Sequence, residues 1–425
     1  MNPTSRHSES EFAAFVGIDW GDRQHSWALQ AAGSATVEQG SLDHTPEAVA
    51  QWAGELEKRF GGRPVAVVLE QSRGALLYML TRHAHLVLYP VHAATLADYR
   101  KALHPCGGKD DPTDAALLVD FLCRHGDRLR LLPVEADDIR LLRLLVEKRR
   151  RLVDEKTRVK NRLTAELKLY YPQMLNWFED LETRLVADWL KRWPRLDQLQ
   201  RSRLETVRRF LHEHNSRQPG RIDSLLQSIW EAQSATEDQA VIESSVVMVQ
   251  ALVSQMQLLC QVLDDLERRI DAVAKKQEDY FIFRSFPGAG PALAPRLLVA
   301  FGSRRERFPA AQNLQCYSGI APVTKRSGQM WVVYFRWKSP KFLRQTFQEW
   351  AHHSVQHSEW ARIYYQHQRD VGKNHQSAVR SLAYKWQRIA YRCWQDGTAY
   401  DEARYLRALR KHGSPYAPAA MAAEC

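Results

Sequence analysis

Four acidic residues stand where chemistry on a phosphate would need them. Asp19 lies near the end of an apolar run over residues 13–20 (AAFVGIDW), and Glu70 follows a second run over 64–69 (PVAVVL). Asp111 and Asp114 are three apart, so a helix beginning there carries both on one face. Open α/β sheets place their sites at the carboxyl ends of strands. Four carboxylates converging at such an edge offer the hard oxygen donors that one or two Mg²⁺ require, and the metal in turn stabilises the charge of phosphoryl transfer. Taken singly, each acid has a plainer explanation as a solvated loop residue or a helix cap, and Asp111 suits an N-cap. Asp22 and Asp110 are near neighbours that compete for the same assignment. The order of all four along the chain is more specific than any one of them.

The elements that must position these acids can be read around them. Residues 26–30, 64–69 and 85–91 read as strands beside the run at 13–20, and 46–59, 73–83, 93–103 and 112–125 read as helices. Pro46 suits a first helical turn, and 105–109 form a glycine-containing break. Strands alternating with helices predict an α/β domain with a mainly parallel central sheet. From 135 to 279 glycine nearly vanishes and apolar residues recur at helical spacing, first Ile139, Leu142, Val146, Val159, Leu163 and Leu167, later Met248, Leu252, Met256, Leu259, Leu263 and Leu266. This predicts two long antiparallel helices, with a coiled coil as one form of the pairing. Between them, residues 171–238 carry Trp177, Trp189, Trp193 and Trp230, which need a core of their own, and read as a helical insertion. The expected division is a tail at 1–12, an α/β domain at 13–134, a helical linker at 135–279, a mainly α domain at 280–398 and a tail at 399–425.

Charge is unevenly spread over the 425 residues. The formal net charge is +11, from 60 Lys and Arg against 49 Asp and Glu. From residue 280 onward there are 22 basic and 8 acidic residues, a balance of +14, so the first 279 hold 38 and 41, a balance of −3. The same last third holds six of the thirteen Trp. A basic, aromatic-rich third reads as a nucleic-acid surface. On helices near 341–357 and 375–394, Trp350, Trp360, Trp386 and Trp394 are interleaved with Arg362, Arg369, Lys373, Arg380, Lys385, Arg388 and Arg392. About half of these Trp are expected in the core and the rest as stacking platforms, with the cations as phosphate contacts. His352, His353, His357, His367 and His375 match no standard zinc spacing, and the six scattered cysteines make neither a zinc set nor a disulfide framework. No stretch is read as a membrane span or a signal peptide, so a reduced, cytoplasmic protein with no membrane partner is expected.

Pro287-Gly288-Ala289-Gly290 opens a helix as a helix-hairpin-helix turn does, leaving backbone N–H groups open to a phosphate. With this turn the motifs accumulate into a resemblance. The stretches 15–21 (FVGIDWG), 68–70 (VLE) and 109–115 (KDDPTDA) resemble the DEDD transposases of bacterial insertion sequences, in the family usually numbered one hundred and ten and related to the Piv invertase. The P-G-x-G-P start at 287, Tyr317-Ser318-Gly319-Ile320-Ala321-Pro322, Ser327-Gly328 and the basic run with Lys338, Lys341 and Arg344 are similar to that family's second domain. The resemblance covers about 13–170 and 245–395 and leaves the insertion and tail unassigned. A departure is Pro340, near which the family has a glycine.

The resemblance implies an RNase H-like (RuvC-like) first domain, a helical linker and a mainly α transposase domain. It implies Asp19, Glu70, Asp111 and Asp114 as Mg²⁺ ligands, and Ser327 as a nucleophile that forms a phosphoserine link to DNA. Ser318 is the rival serine. Phosphate or nucleic-acid contacts are expected at Lys109, Gly288, Gly290, Lys325, Arg326, Arg336, Lys338, Lys341 and Arg344. The implied partners are donor and target DNA, a structured bridge RNA that reads sequence by base pairing, and further copies of the chain in a dimer or tetramer whose composite site joins acids and serine. Two other readings stay open. Gly17-Ile18-Asp19-Trp20-Gly21 also suits a sugar-kinase or actin-like ATPase, although no later Gly-rich adenosine segment follows. A non-catalytic nucleic-acid-binding protein on a decayed nuclease fold predicts acids that do not converge.

Overall fold

The computed structural model describes residues 11–70, 74–103, 110–132, 135–337 and 339–418. Lys109 and Lys338 therefore lie outside the described residues. The chain divides into two compact units, 1–134 and 135–425.

In the first unit, β1 (Ala14–Asp19), β2 (Gln24–Ala31), β3 (Val37–Asp43), α1 (Pro46–Arg59), β4 (Val65–Leu69), α2 (Ala75–Leu80), β5 (Leu86–Pro90), α3 (Ala93–Leu103) and α4 (Asp111–His125) follow in order. The strand order is β3-β2-β1-β4-β5. β1, β4 and β5 run parallel, whereas β1–β2 and β2–β3 are antiparallel, so the sheet is mixed rather than mainly parallel. The reason is loop length. Only four residues separate β1 from β2, enough for a hairpin and too few for a crossover. β4 is buried along its whole length, which fits a central strand covered on both faces. Thr45 caps α1, its hydroxyl accepting from the Ala48 N–H at 3.2 Å.

The second unit opens with α5 (Asp137–Tyr170), which pairs antiparallel with α11 (Gln239–Ala274). Ile139, Leu142 and Val146 of α5 pack with Ile270 and Ala274, and Val159, Leu163 and Leu167 pack with Val249, Leu252 and Val253. Arg149 of α5 forms an ion pair with Glu267 of α11. Between the two lie α6 (Gln173–Trp177), α7 (Arg184–Arg192), α8 (Leu196–Gln200), α9 (Leu204–Glu213) and α10 (Pro219–Glu231). They enclose Trp189, Trp193 and Phe210 in a core shared with the distal ends of the long helices. One expectation is corrected here. Residues 244–263 of α11 contain no charged residue, and by length and composition α11 is apolar enough to cross a membrane. One face of it is instead occupied by α5 and the insertion core.

Beyond α11 come α12 (Tyr280–Arg284), α13 (Gly290–Phe301), α14 (Ala311–Tyr317), β6 (Val323–Ser327), β7 (Met330–Tyr334), α15 (Lys341–His357), α16 (Glu359–Asp370), α17 (His375–Asp396) and α18 (Glu402–Lys411). The expected tail from residue 399 thus begins with a helix, α18, whose Tyr405, Leu406 and Leu409 pack against the core. Trp350, Trp360, Trp386 and Trp394 are all fully buried, which corrects the expectation that some are stacking platforms. Their indole N–H groups donate to the Pro287 carbonyl, Tyr400 Oη, Ser354 Oγ and Asp279 Oδ2 (in the order 350, 360, 386, 394), as buried Trp requires. Lys385, expected on phosphate, lies over the rings of Trp360, Tyr364 and Tyr416.

Candidate active site and nucleic-acid interface

The acids of the first unit are set by the sheet. The parallel register pairs Ile18 with Leu69, so Asp19 and Glu70 stand one step further on, at the ends of neighbouring strands. Adjacent strands lie roughly 4.8 Å apart, which is close enough for two carboxylates to share a cation. Asp19 is buried and Glu70 half-buried. The helix carrying the other pair is drawn onto β1 by Gly17. A Cβ at Gly17 would lie 2.3 Å from the Ala115 carbonyl oxygen and 2.7 Å from Leu118 Cβ, so only glycine lets α4 sit this close. This seats the second turn of α4 on β1, two residues before Asp19.

Asp110, rather than Asp111, is the N-cap of α4. Its carboxylate accepts from the Thr113 N–H at 2.7 Å, and hydrogen bonding to Thr113, first from its side chain and then from this N–H, holds the Asp110 pKa below the ordinary carboxylate value. Asp111 is thereby left exposed in the first turn without a capping duty. Asp114 is almost fully buried and is held by Arg100 of α3, whose Nε donates to Oδ1 at 2.6 Å while Nη2 donates to Oδ2. Nothing in the sequence singled out Arg100, because helices α3 and α4 meet only in the fold. Among the described residues no three His, Cys, Asp or Glu side chains are arranged as they stand to hold a metal ion. Carboxylates are the oxygen donors Mg²⁺ takes, but both oxygens of Asp114 are engaged by Arg100, which would have to move aside before that residue could ligate a cation.

In the second unit the two serines differ sharply. Ser318 is fully buried at the end of α14; its Oγ donates to the Gln315 carbonyl at 3.2 Å and accepts from Gln387 Nε2 at 2.7 Å. Ser327 is exposed, closing β6 just before a two-residue loop. Ser327 pairs with Met330, and Gly328 has φ +57°, which fits a hairpin turn with glycine first. Lys325 and Arg326 are exposed on the same strand. At the base of the hairpin, Arg336 donates to the Ala321 carbonyl at 3.3 Å, and Arg344 Nη1 donates to the Arg336 carbonyl at 3.1 Å. Lys341 is exposed at the start of α15. Gly288 has φ +73°, and a Cβ there would meet the His353 backbone at 2.8 Å, so its glycine identity is needed for packing against α15. Gly290, at φ +52°, faces open space at the exposed start of α13. Trp331 and Trp337, at 71% and 78% exposed, are the indoles that sequence reasoning left out of the interface. Their exposure depends on a hairpin that lies off the core, which composition does not reveal.

With the geometry in place, the chain can be set beside known proteins. Residues 16–172 match the transposase family DEDD_Tnp_IS110, and residues 281–366 match the transposase IS116/IS110/IS902 family. The chain belongs to the IS110 family of DEDD transposases. The first match carries an RNase H-like fold with it, in keeping with a mixed five-stranded sheet. The chain is similar to the mini-circle putative transposase for IS117 of Streptomyces coelicolor, at 26% identity over 413 residues, covering 94% of this chain and 98% of that protein. It is also similar to the insertion element IS110 uncharacterized 43.6 kDa protein of the same organism, at 26% over 398 residues (92% and 96%). A third relative is the insertion element IS900 uncharacterized 42 kDa protein of Mycobacterium paratuberculosis, at 26% over 360 residues (83% and 84%). Family membership sets the ATPase reading aside.

Proposed function

We propose that this transposase cuts and joins DNA through a phosphoserine intermediate, with Ser327 as nucleophile and Asp19, Glu70, Asp111 and Asp114 as ligands of Mg²⁺. The observation that carries the reading is the contrast between an exposed Ser327, flanked by Lys325 and Arg326 and followed by a tight turn, and a buried, doubly hydrogen-bonded Ser318. The step balances as a phosphoryl transfer. The Oγ–P bond forms, the bond from phosphorus to the leaving sugar oxygen breaks, the serine proton passes to solvent and the leaving oxygen takes one up. A divalent cation would supply neutralisation of the phosphate charge. Lys325, on the same hairpin face as Ser327, orients the phosphate, and Arg326, Arg336, Lys338, Lys341, Arg344 and Lys109 hold the neighbouring backbone, with Gly290 offering main-chain N–H groups.

The +14 balance of the last third supports DNA and a structured bridge RNA as partners, the protein reading phosphate and shape while the RNA reads sequence. A protein acting on DNA in this way would work in the cytoplasm, which is the location this reading implies. Exposed Val247, Met248, Leu258 and Val262 on α11 support association with a second copy along that helix. A second reading, a nucleic-acid-binding protein without catalysis, is favoured by the Arg100–Asp114 pair, which leaves Asp114 engaged.

One experiment separates the two readings. The purified protein, with its co-purifying nucleic acid and Mg²⁺, is incubated with element-end DNA and run on a denaturing gel. The expected result is a covalent adduct that Ser327→Ala abolishes and Ser318→Ala retains, and strand cleavage that Asp111→Ala abolishes while DNA binding remains. Undiminished cleavage in Asp111→Ala would sink the metal assignment, and an adduct lost only in Ser318→Ala would move the nucleophile.

A further inference from the structure

The β6–β7 hairpin is exposed on both faces, an arrangement that two strands alone sustain poorly in water. Cross-strand partners share a face, so the register sorts its side chains. Arg326, Trp331, Thr324 and Val333 lie on one face; Ser327, Met330, Lys325 and Tyr334 lie on the other, where Lys325 Nζ sits 5.2 Å from the Tyr334 ring centroid. Trp331 is 71% exposed and Val333 58% exposed, with Arg326 directly across the ladder from the indole. A large apolar surface bordered by cations suits a polyanion that carries flat, apolar faces.

The base of the hairpin repeats the pattern. The Phe335 ring has two guanidinium groups over it, Arg344 at 4.6 Å and Arg380 at 4.4 Å from the centroid, and Trp337 packs edge-on at 4.7 Å. Two like charges on one ring repel, and among the described residues neither has a carboxylate partner. Arg380 Nε is buried without a hydrogen-bond partner, and burial, with Arg344 nearby, pushes its pKa down. Between Glu306 and Glu349 the sequence holds no acid, while it carries Arg307, Lys325, Arg326, Arg336, Lys338, Lys341 and Arg344. The missing counter-charge is what a phosphate backbone would bring.

We infer that the hairpin is a single-strand clamp: Trp331 stacks on an unpaired base of the DNA strand being cut, Arg344 and Arg380 hold a neighbouring phosphate, and the opposite face presents Ser327. A duplex keeps its bases stacked on each other and offers no free face to an indole, so the clamp prefers strands opened beside the scissile phosphate. The inference rests on the reading of Ser327 as nucleophile, because that reading puts the scissile strand at this hairpin.

The test is fluorescence anisotropy of the full-length protein on three labelled probes: a 20-nucleotide oligothymidylate, an oligouridylate of equal length and a 20-base-pair DNA duplex. Trp331→Ala is expected to weaken oligothymidylate binding by roughly tenfold, the usual scale for one stacked base, and duplex binding by less than about twofold. Trp331→Phe keeps an aromatic face and is expected to restore most of the loss, which a purely structural role would not require. Equal losses on duplex and single strand, or no loss on oligothymidylate, would overturn the clamp. A larger loss on oligouridylate would assign the face to RNA instead. Loss of self-association by light scattering, with oligothymidylate affinity intact, would assign it to a second copy. Ser327→Ala is expected to keep oligothymidylate affinity and lose only the covalent adduct, so an adduct surviving in that variant would overturn the nucleophile and leave the stacking result standing.

Discussion

The two halves of the proposed chemistry are built in opposite ways. Three of the acids stand in packed surroundings: Asp19 and Glu70 extend from buried neighbouring strands, and Asp114 is buried on the helix pressed onto β1. The serine stands on a hairpin whose residues are nearly all exposed. The difference follows from what each group must do. Carboxylates that share a cation need defined separations, and the packed sheet fixes where Asp19 and Glu70 stand relative to each other. A nucleophile on DNA has to reach a backbone that comes from outside, and an exposed hairpin supplies reach at the cost of rigidity. The first region should therefore fail through packing, and the second only through loss of contacts with nucleic acid.

The sharpest way to break this contrast is Gly17→Ala. The new methyl group would meet the Ala115 carbonyl, a backbone atom that cannot turn aside. Overpacking of this kind costs about 1–3 kcal/mol, here expected near the upper end. Hydrogen exchange in β1 and α4 should rise, and cleavage should fall with it although no reactive group is removed. Gly328→Ala in the hairpin meets no neighbour, and only its φ of +57° is disfavoured. Its cost should be about 1 kcal/mol, confined to the hairpin. Equal stability losses in the two variants would erase the distinction between the regions.

A smaller effect separates the two serines. Ser318→Ala removes the acceptor of the buried Gln387 amide and should lower stability by about 1–2 kcal/mol in chemical denaturation, leaving the adduct intact. Ser327→Ala should leave stability unchanged within about 0.5 kcal/mol, as expected for an exposed position. A stability loss in Ser327→Ala equal to that of Ser318→Ala would give the exposed serine a structural role.

How far these contrasts were legible in the sequence depends on the residue. The strand before Glu70 and helix α1 follow directly from their apolar residues and from Pro46 at the helix start. β3 escaped because it is an edge strand with only Leu42 buried, so no alternation marks it. The mixed sheet was readable in principle from the four residues between β1 and β2, since strand direction follows loop length. Arg100 was not readable, because its meeting with Asp114 depends on how α3 and α4 pack. The six Trp of the last third look alike in composition, yet four fill the core and two stand in solvent. Helical spacing does not distinguish a buried indole from a stacking one until the neighbouring helices are in place. Ser327 was singled out by its family likeness, and what the fold adds is its exposure.

The last prediction vanishes at neutral pH and probes the acid-bearing unit alone. His25 is fully buried, and its Nδ1 accepts from the Gly21 N–H at 3.2 Å, so Nε2 carries the proton and donates to His44 Nδ1 at 2.8 Å. A second proton on His25 would have to enter at Nδ1, breaking the Gly21 hydrogen bond and placing a charge in an apolar site beside another imidazole. Burial first, and His44 second, push its pKa down to about 4 from an ordinary 6.5. The depressed folded-state value fixes the sign. Above about 6.5 the imidazole is neutral in both states and its contribution to stability is complete. As pH falls toward 4 the unfolded chain takes up the proton first, so stability drops by at most about 1.4 kcal/mol per pH unit and levels off below the folded-state value. Thermal unfolding of the full chain between pH 7 and 4 should show this slope, and His25→Gln, which cannot titrate, should remove it. An identical slope in the variant would mean that the acid sensitivity of the unit arises at its carboxylates, and the turn that follows Asp19 would then be no more pH-dependent than the hairpin that carries Ser327.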